Sequence, residues 1–327
     1  MQNSFRFGSP LRVIAALTLA WLVAAPAQAA EPVRIAENDW TGQLVDINLA
    51  KIIMEEHMGL EVELIYADYT GQWSGLAAGD LDVSLEIWPS FSFAAHEEWI
   101  DEKGMVEVIG DLGLASSGGW FVPTFVIEGD AARGIEPMAP DLKSYEDLNN
   151  YTELFGRPET GDKGFYLAGV ASWETHNEER MANLGVNFEV VFAGSEGAIL
   201  AELESAYAKG EPLIFEFWAP HWAHAAYDLT EIELPPYSDE CYGIGQDEPG
   251  TFACDIPNEM TYKVARVGFK DENPAAYSFI EKMWITAEMQ QEMTYLVDVK
   301  GNSVEESVRM WMAQNEAVWQ AWIPATN

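Results

Sequence analysis

The chain has 327 residues, of which 48% are hydrophobic, enough to bury a substantial core and to exclude a disordered chain. Lys and Arg number 17 against 54 Asp and Glu, a formal charge of −37 that repels phosphate backbones and anionic lipid and so excludes nucleic acid as a partner. At roughly 150 residues per domain, the length suggests two globular units.

The N-terminal 29 residues read as an export signal. Arg6 and Arg12 form a positive n-region, an apolar stretch runs from Leu11 to about Ala25, and Ala27-Gln28-Ala29 supplies small residues for a signal peptidase. The apolar run is too short to span a bilayer, and no later stretch approaches the length of about 18 apolar residues that spanning requires. The expectation is a soluble periplasmic protein with no direct membrane insertion. No Cys stands at the cleavage point to carry a lipid anchor.

From Val33 to Ala36 a short buried strand is predicted, followed by the loop Glu37-Asn38-Asp39-Trp40. A helix follows from about Thr41 to Met58, stopped by Gly59. Glu61 to Tyr66 alternates Val62, Leu64 and Tyr66 against Glu61, Glu63 and Ile65, a strand pattern. A second helix holds Trp73, Leu76 and Ala77 and ends at Gly79-Asp80; Val83 to Ile87 is a third strand, ending at Trp88-Pro89. Strand, helix, strand, helix, strand defines an α/β unit with a parallel sheet. Ligands gather beyond the carboxyl ends of such strands, where Trp40 and Trp88 both fall.

Ser116-Ser117-Gly118-Gly119-Trp120 reads as a break before a strand from Phe121 to Ile127. The α/β character continues to about Leu234, and Pro235-Pro236 marks another junction. Next come the two cysteines, Cys241 and Cys254, 13 positions apart. An oxidising compartment favours a disulfide between them, contributing about 3 kcal/mol through loop closure. Asp247, Glu248 and Gly250 make the loop polar and exposed. Asp239, Asp247 and Asp255 offer oxygen ligands that would suit calcium, but their spacing matches no EF-hand, and neither a metal nor another cofactor is expected. The tail is helix-rich: Pro274 to Met283, Ala287 to Leu296 and Val304 to Trp322. The simplest architecture is an α/β fold of two lobes. Residues 30–115 and 238–327 form one, 116–237 the other, with a hinge and a cleft between them.

Thirteen Trp in one chain is an unusual number, so their positions were sorted. Trp284, Trp311, Trp319 and Trp322 fall on the C-terminal helices and read as packing residues, as do Trp73 and Trp99. Trp40, Trp88, Trp120, Trp173, Trp218 and Trp222 fall on loops at element ends, where function concentrates. Several indole faces around one pocket make a box for a cation that cannot donate strong hydrogen bonds, such as a quaternary ammonium. Each face is worth about 0.5–2 kcal/mol once desolvated, against roughly 8 kcal/mol for micromolar affinity. Filling an interface between lobes is the competing reading.

Five strings in one order bear on that choice: NDWTGQ with Trp40; YADYTGQWSGLAAGDLDVSLEIWPS with Asp80, Asp82, Glu86 and Trp88; SSGGWFVPTFV with Trp120; EPLIFEFWAPHWAHA with Trp218, Pro220 and His221; and MTYKVARVGFKDENPAAYSFIEKM. Together they make the chain resemble the periplasmic glycine betaine, proline betaine and choline binding proteins of ATP-driven importers, over essentially all of the mature sequence. The resemblance implies a monomeric, non-enzymatic protein that closes on a small methylated amine and hands it to an inner-membrane permease and its ATPase. It implies Trp40, Trp88 and Trp218 as box residues, with Trp120 replacing another aromatic and Trp173 on a ligand-facing loop.

One departure bears on the ligand. Choline-binding relatives tend to carry an acid two residues after the first box Trp, where this chain has Gly42. The expected ligand is therefore glycine betaine or trimethylamine N-oxide, with choline, carnitine and dimethylsulfoniopropionate as alternatives. A carboxylate near the box would suit a positive headgroup or share a proton with an N-oxide; the nearby acids are Glu37, Asp39, Glu86, Glu128 and Glu174, with Glu128 taken as a possible polar contact. A carboxylate-bearing ligand would need donors instead, for which His221, His176 and Asn177 are candidates. The chain has no H-E-x-x-H, G-x-S-x-G or phosphate loop. A zinc-binding component using His221 and His224, or an aromatic-rich holdase, are the distant alternatives.

Overall fold

The computed structural model describes residues 1–2, 31–246 and 249–325. Residues 3–29 of the expected export signal, and Asp247 with its neighbour Glu248, lie outside the described residues.

The first unit forms as its pattern predicts. Strands β1 (Val33–Glu37), β2 (Val62–Tyr66) and β3 (Val83–Ile87) are linked by helices α1 (Thr41–Met58) and α2 (Gly71–Ala78), and α3 (Pro89–His96) follows. β2 and β3 both pair with β1 in parallel. The alternation in β2 does not mark one wet face. Leu64 packs on one side of the sheet and Ile65 on the other, because helices cover both faces of a parallel sheet. Tyr66, at the end of this edge strand, is exposed.

β4 (Val106–Pro123) is a single strand of 18 residues. Its first part pairs with β9 (Glu259–Arg266), as far as Ser116 opposite Glu259. From Ser117 opposite Ala219 it pairs instead with β7 (Phe215–Ala219). β5 (Gly164–Ala168) stands between β7 and β6 (Phe188–Phe192), parallel to both, and β8 (Leu229–Glu231) pairs with β4. The strand order is β2-β1-β3-β9-β4-β7-β5-β6, so β4 passes from one parallel group to the other.

The expected break at 116–120 is therefore corrected: those residues lie inside β4. Its glycines serve close approach. A Cβ at Gly118 would stand 2.9 Å from Ile256, and one at Gly119 would stand 2.5 Å from the Glu231 carboxylate. The strand predicted to reach Ile127 ends at Pro123, and Phe125–Glu128 is a helical turn. There the Val126 carbonyl accepts the N–H groups of Met138 and Ala139 instead of a ladder bond.

In the tail, helices cover Pro274–Lys282, Ala287–Asp298 and Val304–Gln314, and Asn315 separates the last from a short Glu316–Gln320 helix. Trp311, Trp319 and Trp322 are buried against α1 residues such as Ile47 and Ile53 in the largest core. Trp284 departs from the expectation: it lies in a helix connection and is 44% exposed. Asp82 is buried, and Arg34 and Arg266 both donate to its carboxylate, which ties β1, β3 and β9 together below the sheet's carboxyl end. Cys241 and Cys254 form a disulfide, and the buried Arg180 donates to the Cys254 carbonyl at 2.8 Å. No helix among the described residues is long and apolar enough to cross a membrane.

Candidate functional site: an aromatic box at the strand ends

The carboxyl ends of the parallel strands converge on one cavity. β1 delivers Trp40, β2 delivers Tyr69 and β3 delivers Trp88. From the other group, β5 leads to Trp173 and Thr175, and β7 supplies Glu216, Phe217 and Trp218. Trp40 and Trp88 sit immediately before the first turns of α1 and α3, the latter started by Pro89 at a position that proline suits. The cavity holds about 40 Å³. One water needs roughly 10–15 Å³ of such space, so a group of a few heavy atoms fits.

The rings meet edge to face. Trp40 and Trp173 are 6.1 Å apart at 80°, and Trp173 and Trp218 are 5.4 Å apart at 89°. Tyr69 stands 5.8 Å from Trp40, and Phe91 stacks 5.8 Å from Trp88. Carboxylates hold three indole N–H groups. Trp40 Nε1 donates to Glu86 at 2.8 Å, Trp88 Nε1 to the same oxygen at 3.2 Å, and Trp173 Nε1 to Asp39 at 2.8 Å. With their N–H edges engaged, the rings leave electron-rich faces for the cavity.

Glu86 is unusual in three respects. Its φ is 60°, a left-handed conformation disfavoured for a residue with a Cβ, at an irregularity in the β3–β9 pairing. It is almost fully buried, and burial raises its pKa to about 7 against the opposing hydrogen bonds from Trp40, Trp88 and Gln290. It also has an acidic neighbour, Asp46 on α1. Gln290 Nε2 donates to both, 3.0 Å to Glu86 and 3.1 Å to Asp46. Gly42 makes room for this amide: a Cβ there would stand 3.0 Å from Gln290 Nε2, so an acid at 42 would displace it.

Glu216 lines the box directly. Its Oε2 accepts the Gly169 N–H at 2.8 Å and the Thr175 hydroxyl at 3.2 Å. Burial raises its pKa, which favours the protonated form. The residues lining the box, among those described, include no Lys or Arg.

Of the sequence-predicted residues, Trp40, Trp88, Trp173 and Trp218 meet in the box; the others do not. Trp120 is fully buried behind it, packed 5.3 Å from Tyr166, with Nε1 donating to Asn177. As an interior residue of β4 it points into a core, so the expectation of a box aromatic at 120 is corrected. Glu128 is exposed at the end of the Phe125–Glu128 turn, away from the cavity, and is corrected likewise. Asn177 is occupied by Trp120, Tyr166 and Thr175, and His176 stacks on Phe252.

His221 lies in an adjoining polar cavity. Its Nδ1 accepts the Ala223 N–H at 3.0 Å, so Nε2 carries the proton and donates to Glu196 at 2.9 Å. Glu196 also accepts the Thr41 N–H, and Asp298 accepts the Thr41 hydroxyl and the Trp222 indole N–H. Glu196, His221 and Asp298 are close enough together to reach one ion, yet each already has hydrogen-bond partners. Asp239 and Asp255 of the disulfide loop do not join such a cluster among the described residues. Asp239 accepts from Tyr237, and Asp255 caps its own turn.

Sequence reading missed Tyr69, Phe91, Thr175, Glu216 and Phe217. The strand-end rule that selected Trp40 and Trp88 also selects Tyr69, three residues past β2. Glu216 and Phe217 are successive residues of one strand, and strand alternation would place only one of them on the cavity, yet both line it.

Two parallel groups of strands with their carboxyl ends on one aromatic cavity define a two-lobed solute-binding protein. The chain belongs to the family described as the substrate binding domain of ABC-type glycine betaine transport systems, which matches residues 31–314. It is 29% identical over 301 residues to a trimethylamine N-oxide-binding protein from Pelagibacter ubique, covering 90% of this chain and 91% of that one. Among solved structures, a glycine betaine/L-proline-binding protein from Borrelia burgdorferi aligns with a TM-score of 0.71 at 18% identity, covering 90% of this chain and 97% of that one. The lactococcal protein OpuAC, closed on glycine betaine, aligns at 0.66 and 20% identity, covering 90% and 100%.

Proposed function

We propose that this importer-family binding protein captures a trimethylammonium-type solute in the box of Trp40, Trp88, Trp173 and Trp218, with trimethylamine N-oxide ahead of glycine betaine. It is exported through its N-terminal signal and works as a periplasmic monomer. It closes residues 30–115 plus 238–327 on residues 116–237, then passes the solute to an ABC permease and its ATPase.

The observation that carries this reading is the meeting of four indoles on one cavity, Trp173 edge to face with both Trp40 and Trp218, with no Lys or Arg lining it among the described residues. Three or four faces at about 0.5–2 kcal/mol each supply a large share of micromolar affinity. Glu216 sets the order of ligands. The proton that burial favours on Glu216 is shared with a ligand oxygen, and an N-oxide oxygen is a stronger base than a betaine carboxylate, so the N-oxide makes the stronger bond; among the described lining residues no cationic side chain offers a ligand carboxylate more. The similarity to the Pelagibacter ubique protein supports the same order.

Calorimetric titration of the mature protein with trimethylamine N-oxide, glycine betaine, choline, carnitine, dimethylsulfoniopropionate and proline tests it. Micromolar or tighter binding of trimethylamine N-oxide is expected, with glycine betaine at least tenfold weaker, about 1.4 kcal/mol. Silence across the panel leaves the box as packing and refutes the reading.

A further inference from the structure

Behind the box lies a pair of acids that do not line it. Asp46 and Glu86 are both almost wholly buried, and one amide, Gln290 Nε2, bridges them. Asp46 Oδ1 has no hydrogen-bond partner at all. An unpaired carboxylate oxygen at zero exposure is costly, and two buried carboxylates this close cannot both stay ionised. A proton held between them satisfies both conditions, with Asp46 donating to Glu86.

Among the described residues, no Lys or Arg faces this pair. From α1 comes Asp46 itself, and from the Ala287–Asp298 helix comes the uncharged Gln290. Glu196, from the Glu196–Lys209 helix, adds a further negative charge, and His221, beyond β7, is bonded to Glu196 and not to the pair. On the side of the box stand only the two indole N–H groups. Glu86 is thus joined through one oxygen to the edges of two rings whose faces would meet the ligand. Negative charge at those edges raises the electron density of the faces; a neutral acid there does not.

Resting on the proposed box, we propose that Asp46 and Glu86 form a proton-linked counter-charge for it: Asp46 keeps the shared proton, and a cation entering between Trp40 and Trp88 drives a second proton, the one Glu86 carries at lower pH, into bulk water. Trp40 and Trp88 transmit the charge, and Glu86 is the positioning residue for both rings. The raised pKa of Glu86 places the exchange near neutral pH, within the range such a protein meets. The sign follows directly. Raising pH ionises Glu86, so affinity for a permanent cation rises with pH through about 7 and levels off above it.

Tetramethylammonium is the probe, because it carries a fixed charge and no titratable group, so any proton released comes from the protein. Its affinity is expected to rise at least about threefold from pH 6 to pH 8, with titration heats that differ between buffers of different ionisation enthalpy, as proton release requires. Glu86→Gln should remove both the pH dependence and the buffer dependence. Asp46→Asn should displace the pH profile and serves if the first variant does not fold. A flat profile with buffer-independent heats in the wild type overturns the proposal. So does failure of tetramethylammonium to bind in a protein that binds another methylated solute. Silence toward every methylated solute instead removes the box reading itself.

Discussion

Replacing Trp88 or Trp218 by Ala removes one wall of the box, and each is expected to raise the dissociation constant for trimethylamine N-oxide at least tenfold, about 1.4 kcal/mol or more. Trp120→Phe separates box from core. It removes the buried N–H bond to Asn177, so it should lower stability by about 1 kcal/mol while changing affinity less than about twofold. Calorimetry and thermal melting read the two effects. Glu216→Gln replaces an acid that can share its proton by a weaker amide donor, so the preference for trimethylamine N-oxide over glycine betaine should narrow at least about fivefold; an unchanged ratio would move selectivity to another residue. At this scale the indoles were legible because Trp is rare and falls at strand ends. The acids were only partly so. Glu86 was one of five carboxylates near the box, and its left-handed backbone inside a strand is what separates it from the solvated majority; Glu216 was not singled out.

Among the elements, the first strands and helices followed their hydrophobic period and stopped where Gly59 and Gly79 predicted. β4 did not, because Gly118 and Gly119 read as a turn when they are there for close approach to Ile256 and Glu231. The contacts that join the two strand groups were also illegible, since each pairs residues far apart in sequence. Trp173 reaches Asp39, the first N–H of α1 donates to Glu196, and Trp222 reaches Asp298. Glu196 caps α1 from another helix, a carboxylate at a helix N-terminus where the dipole favours it. These bonds join the two strand groups, where a latch on the proposed closed form would act. Trp222→Phe, outside the box lining, is therefore expected to weaken binding about three- to tenfold through faster release, roughly 1 kcal/mol for one charged hydrogen bond. Stopped-flow Trp fluorescence separates release from capture; a slower capture with unchanged release would contradict the latch.

For the whole molecule, the acid excess and the buried carboxyls act in one direction. Burial raises the pKa of Glu86 and Glu259 to about 7 and that of Glu216 above its ordinary value. Such groups bind protons more tightly folded than unfolded. Their contribution to stability is therefore full below the unfolded value of about 4.3 and is lost as pH rises toward 7, at up to about 1.4 kcal/mol per unit for each group. Carboxylates with lowered pKa, such as Glu272 beside Arg266, act only below that window. The melting temperature should fall between pH 5 and 7.5, and added salt should restore part of it by screening the charge of −37. A melting temperature that rises with pH over this range would contradict the burial account. In the proposed binding mode the box recognises charge on a methylated centre and not its shape alone. The most direct measurement is calorimetric titration with trimethylamine N-oxide beside tert-butanol, which has the same three methyl groups around an uncharged carbon. Micromolar binding of the first, with the second at least about a hundredfold weaker, is the predicted result. Equal affinities, or no binding of the N-oxide, would contradict it.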